Sequence, residues 1–382
     1  MQHSDEMEWF TLARQPQEPL APDGATLTGD ALRKWRCGFA PFASYVSRRE
    51  VVLALSGGGM AMPAHISVLR VLELLSVEPE RIYGTSAGAV IGGLRAAGMS
   101  TAEIEEAMLD IQSADDLFGF ASRYPALRLA ALAIRRQFQT PKLDESGIYD
   151  VDRVEEHVAR ILERYVGGVP RMSELARPFT CVGVDIGGGS EPGEGGIVVR
   201  KEIFSAERTP DVRLSDAIGA SMAIPGVITP KKIGDTYYMD GAVAEHLPIL
   251  TAYNYWRRRR RRFRRSRLAI IASDLGYGGE VVSESDLADP IDLVIYSKRI
   301  QERLVNHYNL LHCHRPRRGS TVILIRPRGM SVELYEIEKM RVCLHAAYEA
   351  ACDQLSGEGF LAETDRAVRQ AMAFLDLEVS LA

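Results

Sequence analysis

The chain has 382 residues, of which 46% are hydrophobic and 25% charged, and its formal net charge is −5 at pH 7. This composition is that of a soluble globular protein with a substantial core. The sequence argues against a membrane-spanning helix, since no stretch approaches 18 uninterrupted apolar residues, and against a disulfide framework, since the five cysteines lack paired spacing.

The chain begins with a segment that we interpret as an arm. Residues 1–48 lack clear periodicity and contain four prolines. Asp5, Glu6 and Glu8 precede any apolar run, so this segment does not resemble a secretory signal, and a cytoplasmic location is expected. We predict a catalytic domain over residues 49–355 and a helical extension over residues 356–382.

Two glycine-rich turns follow, each between a strand-like and a helix-like segment. The first, Ser56-Gly57-Gly58-Gly59, follows the apolar run 51–55 and precedes a helical period over residues 64–75. The second, Gly84-Thr85-Ser86-Ala87-Gly88, places a serine between two glycines before a helical segment at 87–97. This is the setting of a nucleophile on a tight strand-to-helix turn. The backbone N–H groups of Gly57, Gly58, Gly59 and Ala87 are candidate donors to an oxyanion.

Further strand-like runs predict the fold. They lie at residues 179–184, 196–204, 237–239, 268–272 and 321–325, with helical segments between several of them and a clear helix over residues 331–355. Alternating strands and helices predict a single α/β domain with a mostly parallel central sheet. Residues 115–140 fit either an amphipathic lid or a core helix, and the glycine-rich residues 187–196 indicate a hairpin tip.

A serine nucleophile needs a base, and the local sequence leaves the choice open. The late histidines His307, His312, His314 and His345 do not follow strands, as the histidine of a Ser–Asp–His triad would. Asp240 ends a strand-like run and precedes Gly241, so it is either a catalytic carboxylate at the carboxyl edge of a parallel sheet or part of an ordinary turn. His312-Cys313-His314 does not have zinc spacing, and we expect no metal and no cofactor.

The ordered motifs resemble the patatin-like phospholipase family, most closely its bacterial members. They are Gly57-Gly58-Gly59, Gly84-Thr85-Ser86-Ala87-Gly88, the stretch from Ala220 to Gly226, and Asp240-Gly241-Ala242. The resemblance implies a three-layer α/β/α fold, a Ser–Asp dyad with Ser86 as nucleophile and Asp240 as general base, an acyl-serine intermediate, and lipid or phospholipid substrates. Ser221 and Pro225 are expected to shape the pocket wall.

The sequence departs from the family pattern at two places. Met60-Ala61-Met62 stands where the glycine loop of relatives carries a basic residue, and Glu245-His246 stands where relatives often have two asparagines. We interpret His246 as a surface residue at a helix start, with a supplementary base or pH-sensitive group as the alternative, and His65 as a helix-packing residue. A catalytically weak or silent protein that binds a lipid or partner is the alternative function, and a Ser–Asp–His esterase is the second alternative.

An arginine run stands out against the acidic remainder of the chain. It comprises Arg257, Arg258, Arg259, Arg260, Arg261, Arg262, Arg264, Arg265 and Arg267. If residues 247–256 form the helix after Asp240, the run lies at the sheet edge opposite Ser86. We interpret the run either as a solvated loop or as a site that binds the anionic surface on the inner face of a membrane. Binding to nucleic acid is not expected. The oligomeric state is not predicted.

Overall fold

A computed structural model describes residues 29–111, 147, 149–187, 199–260, 266–276, 290–327 and 339–375. The strands are β1 (Glu50–Leu55), β2 (Arg81–Thr85), β3 (Phe179–Gly187), β4 (Arg200–Ser205), β5 (Lys231–Ile233), β6 (Thr236–Asp240), β7 (Leu268–Ser273) and β8 (Ser320–Ile325). The helices are α1 (Gly29–Gly38), α2 (Ala40–Val46), α3 (Pro63–Leu74), α4 (Ala87–Ala97), α5 (Thr101–Leu109), α6 (Val151–Val166), α7 (Leu214–Met222), α8 (Ala242–Glu245), α9 (Ile249–Arg260), α10 (Pro290–Cys313), α11 (Met340–Leu355) and α12 (Ala362–Phe374).

The eight described strands form one mixed sheet. Its order is β5-β6-β3-β2-β1-β7-β8, and β4 pairs with β3 outside this path. Strands β3, β2, β1, β7 and β8 are parallel, whereas β4 and β6 run antiparallel to β3, and β5 runs antiparallel to β6. The predicted mostly parallel sheet is confirmed. Strand β5 was not predicted, because three residues are too few to show a period.

Helices cover both faces of the sheet and make three layers, as predicted. Leu53 and Leu55 of β1 belong to one hydrophobic core, whereas Val52 and Ala54 belong to another. Helices α3, α4, α5, α6, α7 and α11 contribute to the first core, and α9, α10 and α12 to the second. Because the central strands are buried on both faces, they appear in the sequence as continuous apolar runs.

The segments outside the predicted catalytic domain also form helices where the structure describes them. Residues 29–46 of the predicted arm form α1 and α2, and α2 buries Phe42 and Val46 in the first core. The ring of Phe42 lies 6.0 Å from that of Phe360. Near the carboxyl terminus, Thr364 of α12 accepts a hydrogen bond from the Leu324 N–H at 2.9 Å. Both segments are therefore packed against the body of the protein.

Some predicted features lie partly or wholly outside the described residues. They are the segment 115–140, the tip between β3 and β4, residues 261–265 of the arginine run and residues 331–338 before α11. Strands β3 and β4 pair antiparallel, with Asp185 opposite Arg200, as expected for the two arms of a hairpin. Over the described ranges, no helix is both long enough and apolar enough to cross a membrane.

Candidate active site

Ser86 lies on a sharp turn between β2 and α4. Its backbone has φ 51° and ψ −119°, a conformation that residues with a side chain rarely adopt. The flanking glycines are required because a Cβ on Gly84 would lie 2.4 Å from the Gly88 carbonyl oxygen, and a Cβ on Gly88 would lie 2.2 Å from the Leu55 carbonyl oxygen. The turn thus has the close packing and backbone strain of a nucleophile elbow.

Ser221 holds the backbone of this turn. The Ser86 N–H donates to Ser221 Oγ at 2.8 Å, and the Ser221 hydroxyl in turn donates to the Val182 carbonyl oxygen at 2.6 Å. The side chain of Ser221 therefore ties the elbow to β3. The sequence suggested only a pocket-wall role for Ser221, because its partners are distant in the chain.

The sheet brings the carboxyl ends of two strands together. Strand β2 pairs with β3 up to Thr85 opposite Val182, and β6 pairs with β3 starting from Asp240 opposite Gly183. Because β4 occupies the other side of β3, β2 and β6 lie on the same side and meet end to end. A Cβ on Gly241 would lie 2.1 Å from the Val182 carbonyl oxygen, so only glycine fits after Asp240. Asp240 thus ends an antiparallel strand, which corrects the expectation of a parallel one.

This arrangement joins Ser86 and Asp240 directly. Ser86 Oγ donates to Asp240 Oδ2 at 2.8 Å, and the Ala242 N–H donates to Asp240 Oδ1 at 2.7 Å. Both side chains are buried. Burial raises the pKa of Asp240 above its ordinary value, and the positive charge of Lys298 and the two hydrogen bonds offset part of that rise. The carboxylate is thereby a stronger base, aligned on the serine hydroxyl.

The glycine loop presents fewer free donors than the sequence suggested. The Gly57 N–H donates to the His246 carbonyl oxygen at 3.0 Å, so it is not available to an oxyanion. Among the described residues, the N–H groups of Gly58, Gly59 and Ala87 have no protein acceptor. Gly59 begins a 3₁₀ turn before α3, and Ala87 is the first residue of α4, so these donors lie at helix starts.

His65 holds the glycine loop in place through contacts of both its ring nitrogens. Its Nε2 lies 2.9 Å from the Ser56 carbonyl oxygen and its Nδ1 lies 2.8 Å from Ser273 Oγ. Since a carbonyl oxygen can only accept, Nε2 carries the proton and Nδ1 accepts from the serine. Burial lowers the pKa of His65 to about 4, so the ring is neutral at physiological pH. His65 thus links α3, β1 and β7, a role that helical periodicity could not show.

The two departures from the family pattern are both buried. Met60 and Met62 are fully buried in the first hydrophobic core, so apolar packing stands where relatives carry a cation. His246 is only 6% exposed, and the interpretation of His246 as a surface residue is wrong. The prediction rested on the neighbouring helix start, whereas the ring packs against Gly57.

The other histidines lie in structural positions where the structure describes them. The ring of His312 packs on that of Tyr253 with centroids 5.4 Å apart, and His314 Nδ1 lies 3.3 Å from the backbone of Val322. Burial lowers the pKa of His307 to about 4. Ser86 Oγ donates a hydrogen bond to the Asp240 carboxylate, whereas the serine of a Ser–His–Asp triad donates to a histidine.

An arginine-rich surface, which we call the arginine edge, lies at the amino ends of the parallel strands. Its described members are Arg48, Arg49, Arg257, Arg258, Arg259, Arg260, Arg267, Arg315, Arg317 and Arg318. Arg267 directly precedes β7, whereas Ser86 follows the carboxyl end of β2, so the two edges are separated by the length of a strand, about 20 Å.

Contacts hold the arginine edge together. Arg260 Nη1 donates to the Arg318 carbonyl oxygen at 2.7 Å, and Arg259 lies 3.5 Å from Glu50. A cleft of about 570 Å³ is lined by Pro41, Ser44, Tyr45, Arg48, Arg49 and Arg267. Helix α9 continues through Arg260, four residues past its predicted end. Cations in the last turn of a helix interact favourably with its dipole, which accounts for the extension.

Sequence comparison places this architecture among known proteins. Residues 53–253 match a family described as patatin-like phospholipase. An uncharacterized NTE family protein of Mycobacterium tuberculosis is 30% identical over 203 residues, which are 53% of this chain and 45% of that protein. A probable lipid hydrolase of Invertebrate iridescent virus 6 is 22% identical over 214 residues, 53% of this chain and 63% of that protein. The chain thus matches less than half the length of the mycobacterial relative.

Two solved structures are also similar. The crystal structure of VipD from Legionella pneumophila aligns with a TM-score of 0.42 and 14% identity, covering 81% of this chain and 67% of that one. The type III effector protein ExoU aligns with a TM-score of 0.33 and 14% identity, covering 86% of this chain and 62% of that one. The sequence match over residues 53–253 includes both Ser86 and Asp240.

Proposed function

Because the chain belongs to the patatin-like phospholipase family, we propose that it is a serine lipid acyl hydrolase with Ser86 as nucleophile and Asp240 as general base. The observation that carries the proposal is the 2.8 Å hydrogen bond from Ser86 Oγ to Asp240 Oδ2. The N–H groups of Gly58, Gly59 and Ala87, which have no acceptor within the part of the chain that the structure describes, support it further.

The proposed reaction proceeds in two steps. Ser86 Oγ attacks the carbonyl carbon of an acyl ester while Asp240 takes the hydroxyl proton, and the N–H donors stabilise the charge on the carbonyl oxygen. Collapse of this intermediate expels the alcohol, which takes the proton from Asp240, and leaves an acyl-serine. Asp240 then takes a proton from water as the water oxygen attacks the acyl carbon. Collapse breaks the bond from that carbon to Ser86 Oγ, releases the fatty acid and returns the proton to Ser86 Oγ.

We propose lipid acyl esters as substrates, of the phospholipase A or lysophospholipase type. The family assignment supports this class, and the viral relative is described as a probable lipid hydrolase. The head group and the acyl position remain for experiment to assign. Incubation with a whole bacterial lipid extract, followed by mass spectrometry of the released fatty acids and lysolipids, identifies the substrate class.

The decisive test of the proposal is ester hydrolysis by matched variants. The wild type is expected to hydrolyse p-nitrophenyl butyrate or a lysophospholipid, and Ser86→Ala and Asp240→Asn are each expected to lower kcat by about 10⁴-fold. Ser320→Ala, which removes a buried hydroxyl at the start of β8 on the edge of the sheet opposite Ser86, controls for the loss of any buried hydroxyl. A folded wild type that hydrolyses neither ester contradicts the proposal and favours a protein that only binds lipid or a partner.

The buried methionines are the observation that motivates this alternative. Met60 and Met62 replace the polar part of the glycine loop by core packing, and Leu275 crowds Gly58, since a Cβ on Gly58 would lie 2.8 Å from it. Narrow access beside Gly58 would slow a bulky substrate. A catalytically silent protein would bind labelled lipid without releasing fatty acid, and Ser86→Ala would leave that binding unchanged.

We also propose that the arginine edge binds an anionic surface, such as the inner leaflet of a membrane. Its exposed guanidinium groups would each add about 1 kcal/mol of attraction near anionic lipid at low salt. Because this edge lies opposite Ser86, the bound protein would direct its active site away from that leaflet. Docking is therefore separate from substrate capture.

Vesicle binding tests this second proposal. Replacement of Arg257, Arg258, Arg317 and Arg318 by glutamine is expected to abolish co-sedimentation with vesicles rich in phosphatidylserine and to leave hydrolysis of a soluble ester unchanged. Unaltered vesicle binding contradicts the proposal, and binding of the wild type to RNA but not to vesicles would assign the edge to nucleic acid.

A further inference from the structure

His246 lies beside the glycine loop in a way that the proposed dyad does not use. It follows α8 and precedes α9, and its side chain is almost fully buried. Its carbonyl oxygen accepts the Gly57 N–H at 3.0 Å. The residue that takes one donor from the loop therefore also directs an imidazole towards it.

The imidazole and the nucleophile border the same small space. A Cβ placed on Gly57 would lie 3.2 Å from His246 Nε2 and 3.5 Å from Ser86 Cβ. Both groups are thus immediate neighbours of one point on the glycine loop. Gly57 carries no Cβ there, so the loop places no side chain between the imidazole and Ser86.

The contacts of the ring orient its proton. His246 Nδ1 lies 3.5 Å from Asn306 Nδ2, and an amide nitrogen only donates, so Nδ1 is the acceptor with the amide in this orientation. With Nδ1 as the acceptor, the ring proton is on Nε2, the nitrogen that faces Gly57. The donor therefore points at the loop residue that also adjoins Ser86.

Asp274, a buried acid that interacts electrostatically with His246, does not turn His246 into the base of a triad. Asp274 Oδ2 accepts from Arg326 Nε at 2.8 Å and from Arg326 Nη2 at 2.7 Å, and its Oδ1 accepts the Gly276 N–H at 3.0 Å. Its carboxylate is thus committed to Arg326 and to a backbone donor. The Asp240 carboxylate, in turn, accepts the hydrogen bond from Ser86 Oγ.

We propose that His246 is a further catalytic residue, whose Nε2–H donates a hydrogen bond to the oxyanion that forms when Ser86 attacks an ester. This inference rests on the proposed hydrolase function and deepens it. The Ser86 Oγ–carbon bond forms, the carbonyl π electrons move to the oxygen, and the serine proton passes to Asp240. His246 keeps its proton throughout and restores the donor that the Gly57 N–H cannot supply.

Kinetics of His246 variants test this inference. His246→Ala is expected to lower kcat for p-nitrophenyl butyrate by about 10²-fold with little change in KM, as loss of one oxyanion donor does elsewhere. His246→Gln, whose amide also donates at the end of its side chain, is expected to recover most of kcat. His345→Ala on α11, which removes a partly exposed histidine paired with Glu349, is the matched control and should behave as wild type.

A transition-state analogue separates catalysis from folding. An alkyl trifluoromethyl ketone forms an oxyanion with Ser86, so His246→Ala should weaken its binding by the same factor as kcat falls, and His246→Gln should not. Unchanged kcat in folded His246→Ala overturns the inference. A loss as large as that of Ser86→Ala also overturns it, because that loss indicates a base.

Failure of the inference is distinguishable from failure of the proposed function. A wild type that neither hydrolyses esters nor reacts with a fluorophosphonate at Ser86 contradicts the hydrolase itself, and the role of His246 with it. A wild type that does both, together with His246→Ala of equal kcat and equal ketone affinity, contradicts the role of His246 alone.

Discussion

The two edges of the sheet differ in how they hold their polar groups. At the carboxyl edge, Ser86 and Asp240 are buried and joined by a short hydrogen bond, and Asp240 also accepts one from the Ala242 N–H. At the amino edge, Arg257 and Arg258 project into solvent from the last turn of α9. Buried polar groups are costly unless they are paired, whereas exposed charges cost little and depend weakly on their partners.

This difference predicts where substitutions matter. The carboxyl edge is close-packed, so the neighbouring atoms cannot accommodate an added Cβ or a lost proton without moving. A change at Arg257 or Arg258 alters one exposed charge among several neighbouring arginines.

The largest effect is expected for Asp240→Asn, which should lower kcat by about 10⁴-fold because asparagine cannot take the serine proton. The same change should raise the thermal midpoint at pH 7. The raised pKa of Asp240 means that the folded state binds this proton more tightly than the unfolded chain. Its favourable contribution is present at low pH and is lost as the pH rises through the folded pKa.

Calorimetry of the wild type and Asp240→Asn between pH 3.5 and pH 8 checks this sign, over a range chosen around the ordinary aspartate pKa of about 3.9. The midpoint of the variant should exceed that of the wild type by at least about 1 °C at pH 7, and the difference should shrink on acidification. A variant that is less stable at pH 7 would mean that the ionised carboxylate stabilises the fold.

The next effect concerns Gly88, two residues after Ser86. Gly88→Ala would place a Cβ 2.2 Å from the Leu55 carbonyl oxygen, so β1 and α4 must separate. We expect a loss of about 3 kcal/mol of unfolding free energy, measured by urea titration, together with loss of activity. Gly168→Ala, at a glycine whose Cβ would meet nothing within 4 Å, is the control and should change little.

Breaking the ion pair between Arg326 and Asp274 should destabilise the fold about as much as Gly88→Ala does, but it should lower activity less. Arg326→Ala leaves Asp274 buried without its cation, and such a break costs about 3 kcal/mol. Activity at a temperature well below the midpoint should fall less than tenfold, since Asp274 does not contact Ser86. Inactivity of the folded variant would indicate that Arg326 contacts the substrate.

The pH profile should show the raised pKa of Asp240 directly. Because only the carboxylate can act as base, kcat/KM should fall as the pH drops through that pKa, above the ordinary aspartate value of about 3.9. His65, whose pKa is lowered to about 4, is neutral at pH values well above 4. A profile without an acid limb above pH 4 contradicts Asp240 as the base.

The smallest effect is expected at the amino edge. The double change Arg257→Gln and Arg258→Gln should shift the thermal midpoint by less than about 1 °C and change ester hydrolysis by less than twofold, because exposed ion pairs contribute little. Differential scanning fluorimetry and a soluble-ester assay measure both. A shift of several degrees would show that these arginines hold the edge together.

The sequence was sufficient for the fold class and for the positions of the two glycine turns. Continuous apolar runs between glycines predict buried parallel strands, and Gly84, Ser86 and Gly88 predict the elbow that the structure contains. Asp240 followed by Gly241 was ambiguous by itself. Its pairing with Ser86 depends on β2 and β6 meeting along β3, which is a long-range arrangement that local periodicity does not encode.

The environments of single side chains could not be read from the sequence. Gly57 lost its place as an oxyanion donor because its N–H bonds to His246, 189 residues later in the chain. Ser221 acts on the site through its contact with Ser86, 135 residues earlier in the chain, and His65 acts through its contact with Ser273, 208 residues later. Helices α1 and α2 were missed because they span only ten and seven residues, too few to show a clear apolar period in a segment that contains four prolines.

One measurement tests the central claim most directly: reaction of the whole protein with a fluorophosphonate, followed by intact-mass and peptide mass spectrometry. We predict a single adduct on Ser86, absent from Ser86→Ala and at least about 100-fold slower to form in Asp240→Asn, which lacks the base. An adduct on another residue, or equal labelling rates in the wild type and Asp240→Asn, would contradict a nucleophile activated by Asp240.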